Sequence, residues 1–174
     1  MSSIDLVILG IVLEKPQSAY DIQKDVEYHH LSRWTKISTP SIYRKVLQLS
    51  EKGYLQSDVV KGSKFADKAV YSITDAGRTY FKELMALYAA GPVLLLFDFN
   101  VVITNLNKME KAEAANLIST LRQSIQSSSD ANEAYAKEFA DIPLVGRTIF
   151  EQQRLLYNAL LEWLNQFERQ FSQK

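Results

Sequence analysis

The sequence TPSIYRKVLQLSEKGYL, residues 39–55, has the features of a single helix with a signal at each end. Ser38 or Thr39 can cap its start, Pro40 suits the first helical position, and a glycine at position 53 can take the left-handed conformation that ends a helix. The apolar residues between these limits recur at intervals of four and three, which puts them on one buried face: Ile42, Val46 and Leu49. We therefore predict a helix with one face in a hydrophobic core.

The opposite face of this helix carries mostly hydrogen-bonding and cationic side chains: Ser41, Arg44, Lys45, Gln48 and Lys52. Such a face suits the major groove of DNA, where Arg and Gln can read base edges. It is equally typical of an ordinary solvated helix surface. The helix alone does not decide between these two interpretations.

The segment after the helix favours DNA binding. Residues 54–61 and 69–74 are rich in Val, Tyr, Ile and Thr, which predicts two strands of a hairpin, and the loop between them contains lysines. A helix followed by a hairpin with a basic tip is the order of a winged helix. Residues 33–68 contain eight basic and three acidic side chains, whereas the whole chain has 20 of each. A local excess of positive charge in a neutral chain is what phosphate binding requires.

The residues before this stretch predict two further helices. Residues 4–13 are apolar at nearly every position, with Asp5 and Gly10 as exceptions, so this helix needs cover from the core and from a partner chain. Pro16 ends it, and Ser18 can cap a second helix that runs to about residue 30. A short connection over residues 31–38 then leads to the central stretch.

A fourth helix is predicted from Thr74 to Ala90, and the Gly-Pro pair that follows is the clearest break in the chain. We place a domain boundary there, between residues 1–90 and 91–174. The first part carries 12 basic and 10 acidic residues, and the second carries 8 and 10. Positive charge is thus concentrated in the first part.

The second part is predicted to be helical. Residues 93–105 could form a strand or a helix, and we predict a helix. A further helix is predicted over residues 108–126. A kink or a new cap is expected at 127–130, followed by more helix up to Asp141. From position 150 the apolar residues follow heptad intervals: Phe150, Tyr157, Leu160, Leu164, Phe167 and Phe171. Additional apolar residues widen this seam, which predicts packing both within the chain and against a second copy.

Together these motifs resemble the PadR-like family of bacterial transcriptional regulators over most of the chain. The resemblance rests on three groups: residues 9–13 with SAYDI at 18–22, Trp34 leading to SIY at 41–43, and VYSIT at 70–74 with Gly77. It implies a mostly α fold with a small β-hairpin. An N-terminal winged helix-turn-helix domain would be followed by a helical C-terminal dimerisation domain.

From these features we predict a homodimeric repressor that binds an inverted-repeat operator in double-stranded DNA. Nine residues are expected at the DNA: Thr39, Ser41, Tyr43, Arg44, Lys45 and Gln48 on the helix, and Lys61, Lys64 and Lys68 in the wing. The alternative is a winged-helix module that binds another protein without sequence-specific DNA contacts. The neutral overall charge and the modestly basic wing keep this alternative open.

The aromatic residues form an ordinary core or an effector site. The family resemblance implies, for many members, a pocket for a small aromatic molecule such as a phenolic acid or a planar drug. The residues expected there are Tyr20, Phe97, Asp98, Phe99, Asn100 and Trp163. The two polar members of this set interrupt an apolar run, where a pocket would need hydrogen-bonding groups.

The sequence predicts neither an enzyme nor a protein with a metal or cofactor. The two histidines, His29 and His30, are adjacent and would point about 100° apart on a helix, and there is no cysteine. A nucleophile and base arrangement has no histidine available later in the chain. The apolar run at 93–103 is shorter than the roughly 20 residues that span a bilayer. The first residues do not resemble a secretory signal, so we predict a cytoplasmic protein with no membrane association.

Overall fold

The structure is a computed structural model that describes residues 2–29, 31, 35, 41–60 and 68–173. The chain forms two compact units, Met1–Val93 and Leu94–Lys174. Most described residues are helical and one small sheet is present, so the predicted fold class, mostly α with a small β-hairpin, is confirmed.

The first unit contains, in chain order, α1 (Ser3–Glu14), β1 (Gln17–Ser18), α2 (Ala19–Tyr28), α3 (Ile42–Glu51), β2 (Leu55–Val60), β3 (Lys68–Ile73) and α4 (Asp75–Ala90). The strands form an antiparallel sheet in the order β1-β3-β2. The predicted hairpin corresponds to β2 and β3, and the predicted loop at its tip lies outside the described residues. The two-residue strand β1 was not predicted, because two residues are too short to show a periodicity.

The core of the first unit is formed by the apolar faces of its helices and sheet. The described residues that are buried there include Ile8, Leu9, Val12, Ile22, Val26, Ile42, Val46, Leu49, Leu55, Tyr71 and Leu84. The three residues predicted on the buried face of α3 are therefore all in the core. Burying one such aliphatic side chain contributes about 1.5–3 kcal/mol to folding, so this face fixes α3 against α1 and α2.

The C-terminus of α3 has the predicted glycine ending. Gly53 has a φ of 75°, and its N–H donates to the carbonyl of Ser50 at 2.9 Å, while the N–H of Tyr54 donates to the carbonyl of Leu49 at 2.9 Å. These two bonds satisfy carbonyls that the last turn of a helix leaves unpaired. The start of α3 is at Ile42, and the caps predicted at positions 38 and 39 lie outside the described residues.

We expect Gly53→Ala to reduce the free energy of unfolding by about 1–2 kcal/mol, because a side chain disfavours the left-handed conformation. An added Cβ would meet no atom within 4 Å, so the cost is conformational. Gly91→Ala is the matched control, since its Cβ would make only ordinary contacts at 3.6 Å and its φ is −68°. Urea unfolding of both variants measures the difference. Equal stability of the two would contradict the assigned role of Gly53.

The second unit contains α5 (Asn100–Ile103), a 3₁₀ turn (Leu106–Lys108), α6 (Lys111–Glu138) and α7 (Leu144–Ser172). The helix predicted over 93–105 was wrong, because residues 92–97 have no regular secondary structure and α5 has only four residues. Short polar side chains at the end of α5 bond to a carbonyl of its backbone and compete with continuation of the helix. Asn105 Nδ2, for example, donates to the carbonyl of Val101 at 2.7 Å.

The predicted kink at 127–130 was also wrong, since α6 continues through it and ends at Glu138. Ser128 Oγ donates to the carbonyl of Ser124 at 2.9 Å, so that hydroxyl is satisfied within the helix. Ser129 is buried, and Asn132 Nδ2 nearby donates to the carbonyl of Phe150 on α7 at 2.9 Å. Ser129 is the one buried residue of the stretch 127–130, so this stretch is a regular helical segment with one side covered.

The core of the second unit lies along α6 and α7. Its buried residues in the described chain are Leu106, Ala114, Ile118, Ile125 and Leu164. Most residues of the predicted heptad seam of α7 are half-buried and pack against this core. Arg122 on α6 contacts Asn165 and Glu168 on α7, which adds a polar link outside this core.

Candidate nucleic-acid interface

The outward face of α3 is formed by residues that the core leaves uncovered. Tyr43 is 60% exposed, Arg44 is exposed, and Leu47 is 38% exposed, whereas Gln48 is half-buried. Within the described part of the chain, no carboxylate forms an ion pair with the Arg44 guanidinium. A planar guanidinium on an exposed helix face is available for a bidentate contact.

Lys45 occupies a different position from the one predicted. Its Nζ lies 3.2 Å from Asp5 Oδ1 on α1, and its side chain is only 25% exposed. The reason is its place on the helix: Lys45 lies three residues after Ile42 and four before Leu49, so it shares their face. This position argues against base reading by Lys45. The spacing of Lys45 from Ile42 and Leu49 in the sequence already places it on the buried side of the helix.

The base of the wing carries the other predicted cation that the structure describes. Lys68 begins β3, and its Nζ lies 3.1 Å from Asp21 Oδ2 on α2, with 58% of the side chain exposed. A hydrogen bond from the Ser18 hydroxyl, at 2.7 Å, lowers the pKa of Asp21, and Lys68 lowers it further against the opposing effect of burial. The carboxylate is therefore ionised at neutral pH and attracts Lys68.

The remaining predicted DNA contacts have mixed positions. Ser41 is half-buried beside the first turn of α3. Thr39, Lys61 and Lys64 lie outside the described residues. The structure thus brings Tyr43 and Arg44 together on one exposed face and places Lys68 at the wing.

The predicted effector residues are divided between the two units. In the second unit, Phe99 lies between Phe97 and Trp163 in an aromatic stack with ring centroids 5.1 and 5.9 Å apart. Asp98 and Asn100 are exposed beside it. Tyr20 belongs to the first unit, where it is 65% exposed and has Lys24 Nζ 5.6 Å from its ring centroid.

The described ranges contain neither a cluster of metal ligands nor a membrane-spanning helix. No group of three or more His, Cys, Asp or Glu side chains there is arranged to hold a metal ion. None of the described helices has the length and hydropathy needed to cross a membrane.

Comparison with known proteins supports the winged-helix architecture. No curated protein matches the chain in sequence. Among solved structures, Bacillus subtilis PadR in complex with operator DNA has a TM-score of 0.80 at 15% identity and covers 98% of this chain and 99% of its own. The same protein in complex with p-coumaric acid has a TM-score of 0.79 at 16% identity, with 98% and 99% covered.

A third similar structure is a PadR-like transcriptional regulator from Bacillus cereus, with a TM-score of 0.69, 22% identity, and 97% and 98% of the two chains covered. These likenesses confirm the predicted fold, a winged helix followed by a helical region. In sequence, residues 8–83 match the model of the transcriptional regulator PadR-like family, and this range includes α3 and both strands of the wing. The predicted resemblance to the PadR-like family of transcriptional regulators is therefore confirmed over residues 8–83.

Proposed function

We propose that this protein is a homodimeric repressor that binds an inverted-repeat operator through α3 and the wing. The observation that carries the proposal is the exposed face of α3, where Arg44 has no ion-pair partner among the described residues and the opposite face is fixed in the core. The similar PadR of Bacillus subtilis was solved in complex with operator DNA, which supports the same use of this fold here.

The roles proposed for the described residues follow from the positions of their side chains, and those of Thr39, Lys61 and Lys64 follow from the sequence alone. Arg44 and Gln48 read base edges, helped by Thr39 and Ser41, because arginine and glutamine can each make two hydrogen bonds to a purine. Tyr43, Lys61, Lys64 and Lys68 contact phosphates and set the orientation of the protein on the duplex. Lys45 is left out of this set because its ammonium group already pairs with Asp5.

The proposed dimer rests on apolar surface that a single copy leaves exposed. Val93, Leu94, Leu95 and Leu96 are 58–86% exposed, four in succession. Most of the apolar residues of the α7 seam are also only half-buried. Contiguous exposed apolar residues of this kind mark an interaction surface, and a second copy would cover them. A two-fold dimer presents two copies of α3 to the DNA, so its operator is an inverted repeat.

The proposal is tested by titrating a labelled duplex from upstream of the protein's own gene, followed by fluorescence anisotropy at several salt concentrations. We expect binding that is strongest at low salt and weakens steeply as salt rises, because phosphate contacts release counterions. Absence of binding at low salt would favour a winged-helix module that binds another protein.

We expect Lys68→Ala to weaken binding to every duplex alike and to reduce the salt slope by about one, since it removes one phosphate contact. Asp21→Asn should strengthen binding, because the Asp21 carboxylate competes with phosphate for Lys68. Lys111→Ala is the matched control: it removes the same charge from an exposed site in the second unit. If Lys68→Ala and Lys111→Ala bind alike, the wing base is not at the DNA.

We further propose that a flat aromatic molecule binds at the stack of Phe97, Phe99 and Trp163, with Asp98 and Asn100 as polar partners. The similar PadR was solved with p-coumaric acid, which makes phenolic acids the first candidates. Tyr20, which belongs to the first unit, is left out of this proposal. A ligand releases a repressor only if it binds the DNA-free state more tightly.

With Trp34 replaced by Phe, we expect p-coumaric acid to quench the remaining fluorescence of Trp163 saturably. Release from the duplex should occur over the same concentration range. The control is Trp163→Phe in the parent background, which should lose the part of the quenching that comes from Trp163. If a panel of phenolic acids changes neither fluorescence nor DNA binding, the stack is only part of the core.

A further inference from the structure

A buried carboxylate interrupts the otherwise apolar helix α1. Asp5 is 5% exposed, and its Oδ1 lies 3.2 Å from Lys45 Nζ on α3. The contact is an ion pair by distance, but within the described residues this oxygen receives no hydrogen bond of acceptable geometry. Removing a carboxylate from water is costly, and an ion pair of this kind often stabilises a fold no better than an apolar pair would. A contribution to stability therefore does not explain why an Asp5–Lys45 ion pair is buried at this position.

The pair joins α1 to the middle of α3. Lys45 is adjacent in sequence to Arg44, the exposed residue assigned to base reading, and its own side chain is three-quarters buried. The close-packed apolar face holds α3 against the core, but the hydrophobic effect that buries it is itself non-directional. An ion pair at low dielectric depends strongly on distance and opposes rotation of α3 about its axis.

We propose that the Asp5–Lys45 ion pair sets the rotation of α3 about its axis, so that Asp5 is a positioning residue for base reading by Arg44. This inference rests on the proposed function in DNA binding. It predicts that changing Asp5, a residue of α1 that is buried away from solvent, reduces the discrimination between DNA sequences.

The surroundings of Asp5 support a positioning role. Tyr80 on α4 has a raised pKa, caused first by burial and then by the nearby Asp5 carboxylate. The Tyr80 ring stacks on Tyr54 with centroids 4.3 Å apart, and the N–H of Tyr54 bonds the last turn of α3. Asp5 is thus close to groups that hold α3 both at its middle and at its end.

The test uses the full chain with Asp5→Asn, Lys45→Met and the double variant, in which the net charge is unchanged. The probe is a duplex enriched by the parent protein from a random-sequence pool, compared with a scrambled duplex of equal length. The two readouts are the melting temperature and the ratio of the affinities for the two duplexes. Binding is measured well below the lowest melting temperature, with circular dichroism to verify folding.

We expect each single variant to melt roughly 10 °C lower, because it leaves one buried charge unpaired, and the double variant to recover most of that loss. The affinity ratio should fall by roughly tenfold in all three, the double included, because base contacts by Arg44 are misaligned. Since the double variant keeps the parental charge, its affinity for scrambled DNA and its salt slope should remain parental.

Three results would overturn the inference. A double variant with the parental affinity ratio would make the ion pair purely structural. A loss of ratio in Lys45→Met but not in Asp5→Asn would mean that Lys45 contacts the bases itself. If the parent protein enriches no sequence at all, the proposed function fails, and this inference fails with it.

Discussion

The Gly77→Ala variant is expected to lose at least about 3 kcal/mol of folding free energy, which is large for the addition of one methyl group. An alanine Cβ at this position would lie 2.1 Å from the carbonyl oxygen of Tyr54 and 2.8 Å from Ile73 Cγ1. Both distances are far below van der Waals contact. Gly77 is therefore required for the first turn of α4 to approach the end of α3.

The structure cannot easily move to make room for the added methyl group, because the nearest atom is the backbone carbonyl oxygen of Tyr54. The Tyr54 carbonyl accepts hydrogen bonds from the N–H of Thr74 at 3.1 Å and from its hydroxyl at 3.2 Å. The same Thr74 hydroxyl accepts the N–H of Gly77 at 3.0 Å, which caps α4. Moving the carbonyl away from a new Cβ would disturb these bonds and the ending of α3 together.

Gly10→Ala is the matched control for this prediction. Its Cβ would lie 3.6 Å from Phe81 Cε2, an ordinary contact, and Gly10 is inside α1. Alanine is favoured over glycine in a helix interior, so we expect a gain of about 0.5–1 kcal/mol. Thermal unfolding of both variants measures the contrast. A Gly77→Ala variant that melts with the parent would show that α4 does not approach Tyr54 as closely as described.

The Arg44→Ala variant is expected to have the largest effect on DNA binding, a loss of about 1–3 kcal/mol for its preferred sequence. Arg44 is exposed on α3 and has no ion-pair partner among the described residues, so its loss leaves the core and the fold intact. The melting temperature should therefore stay close to the parental value. Sequence preference should relax at the base pair that Arg44 contacts.

Glu51→Ala is the control for this variant, because it changes another exposed residue of α3, in the last turn. Competition titrations with single-base substitutions in the preferred duplex measure the preference at each position. Arg44→Ala should flatten the preference at one position in each half-site, whereas Glu51→Ala should retain it. An Arg44→Ala variant with the full parental profile would remove α3 from base reading.

The parts of the fold that were predictable from the sequence are those encoded by neighbouring residues. Ile42, Val46 and Leu49 reveal the buried face of α3 through their spacing, and Gly53 marks its end. Thr74 identifies the start of α4, where its side chain accepts the N–H of Gly77. Periodicity and capping operate within one or two turns, so a single sequence contains the necessary information.

Features that depend on distant residues were not predictable in this way. The pairing of Lys45 with Asp5 joins positions 40 residues apart, and the sequence shows only an isolated acid in an apolar helix. The short strand β1 forms because β3 is beside it. The kink or new cap predicted at 127–130 is typical of a serine-rich stretch, whereas in the structure α6 packs against α7 and continues through it.

The sequence predicts nine residues at the DNA, and the structure describes six of them. The exposed positions of Tyr43 and Arg44 agree with the face expected for α3, and Lys45 does not. Roles in base or phosphate contact depend on where the duplex lies, which the chain's own residues do not specify. These roles stay predictions.

The central claim is that this protein reads DNA sequence as a two-fold dimer through α3. It is tested most directly by selecting duplexes from a random-sequence pool with the parent protein at roughly physiological salt, then sequencing the bound fraction. We expect enrichment of one inverted repeat with half-site centres about one helical turn apart, or a multiple of it. A bound fraction with no enriched sequence, or with an enriched sequence that lacks two-fold symmetry, would contradict the claim.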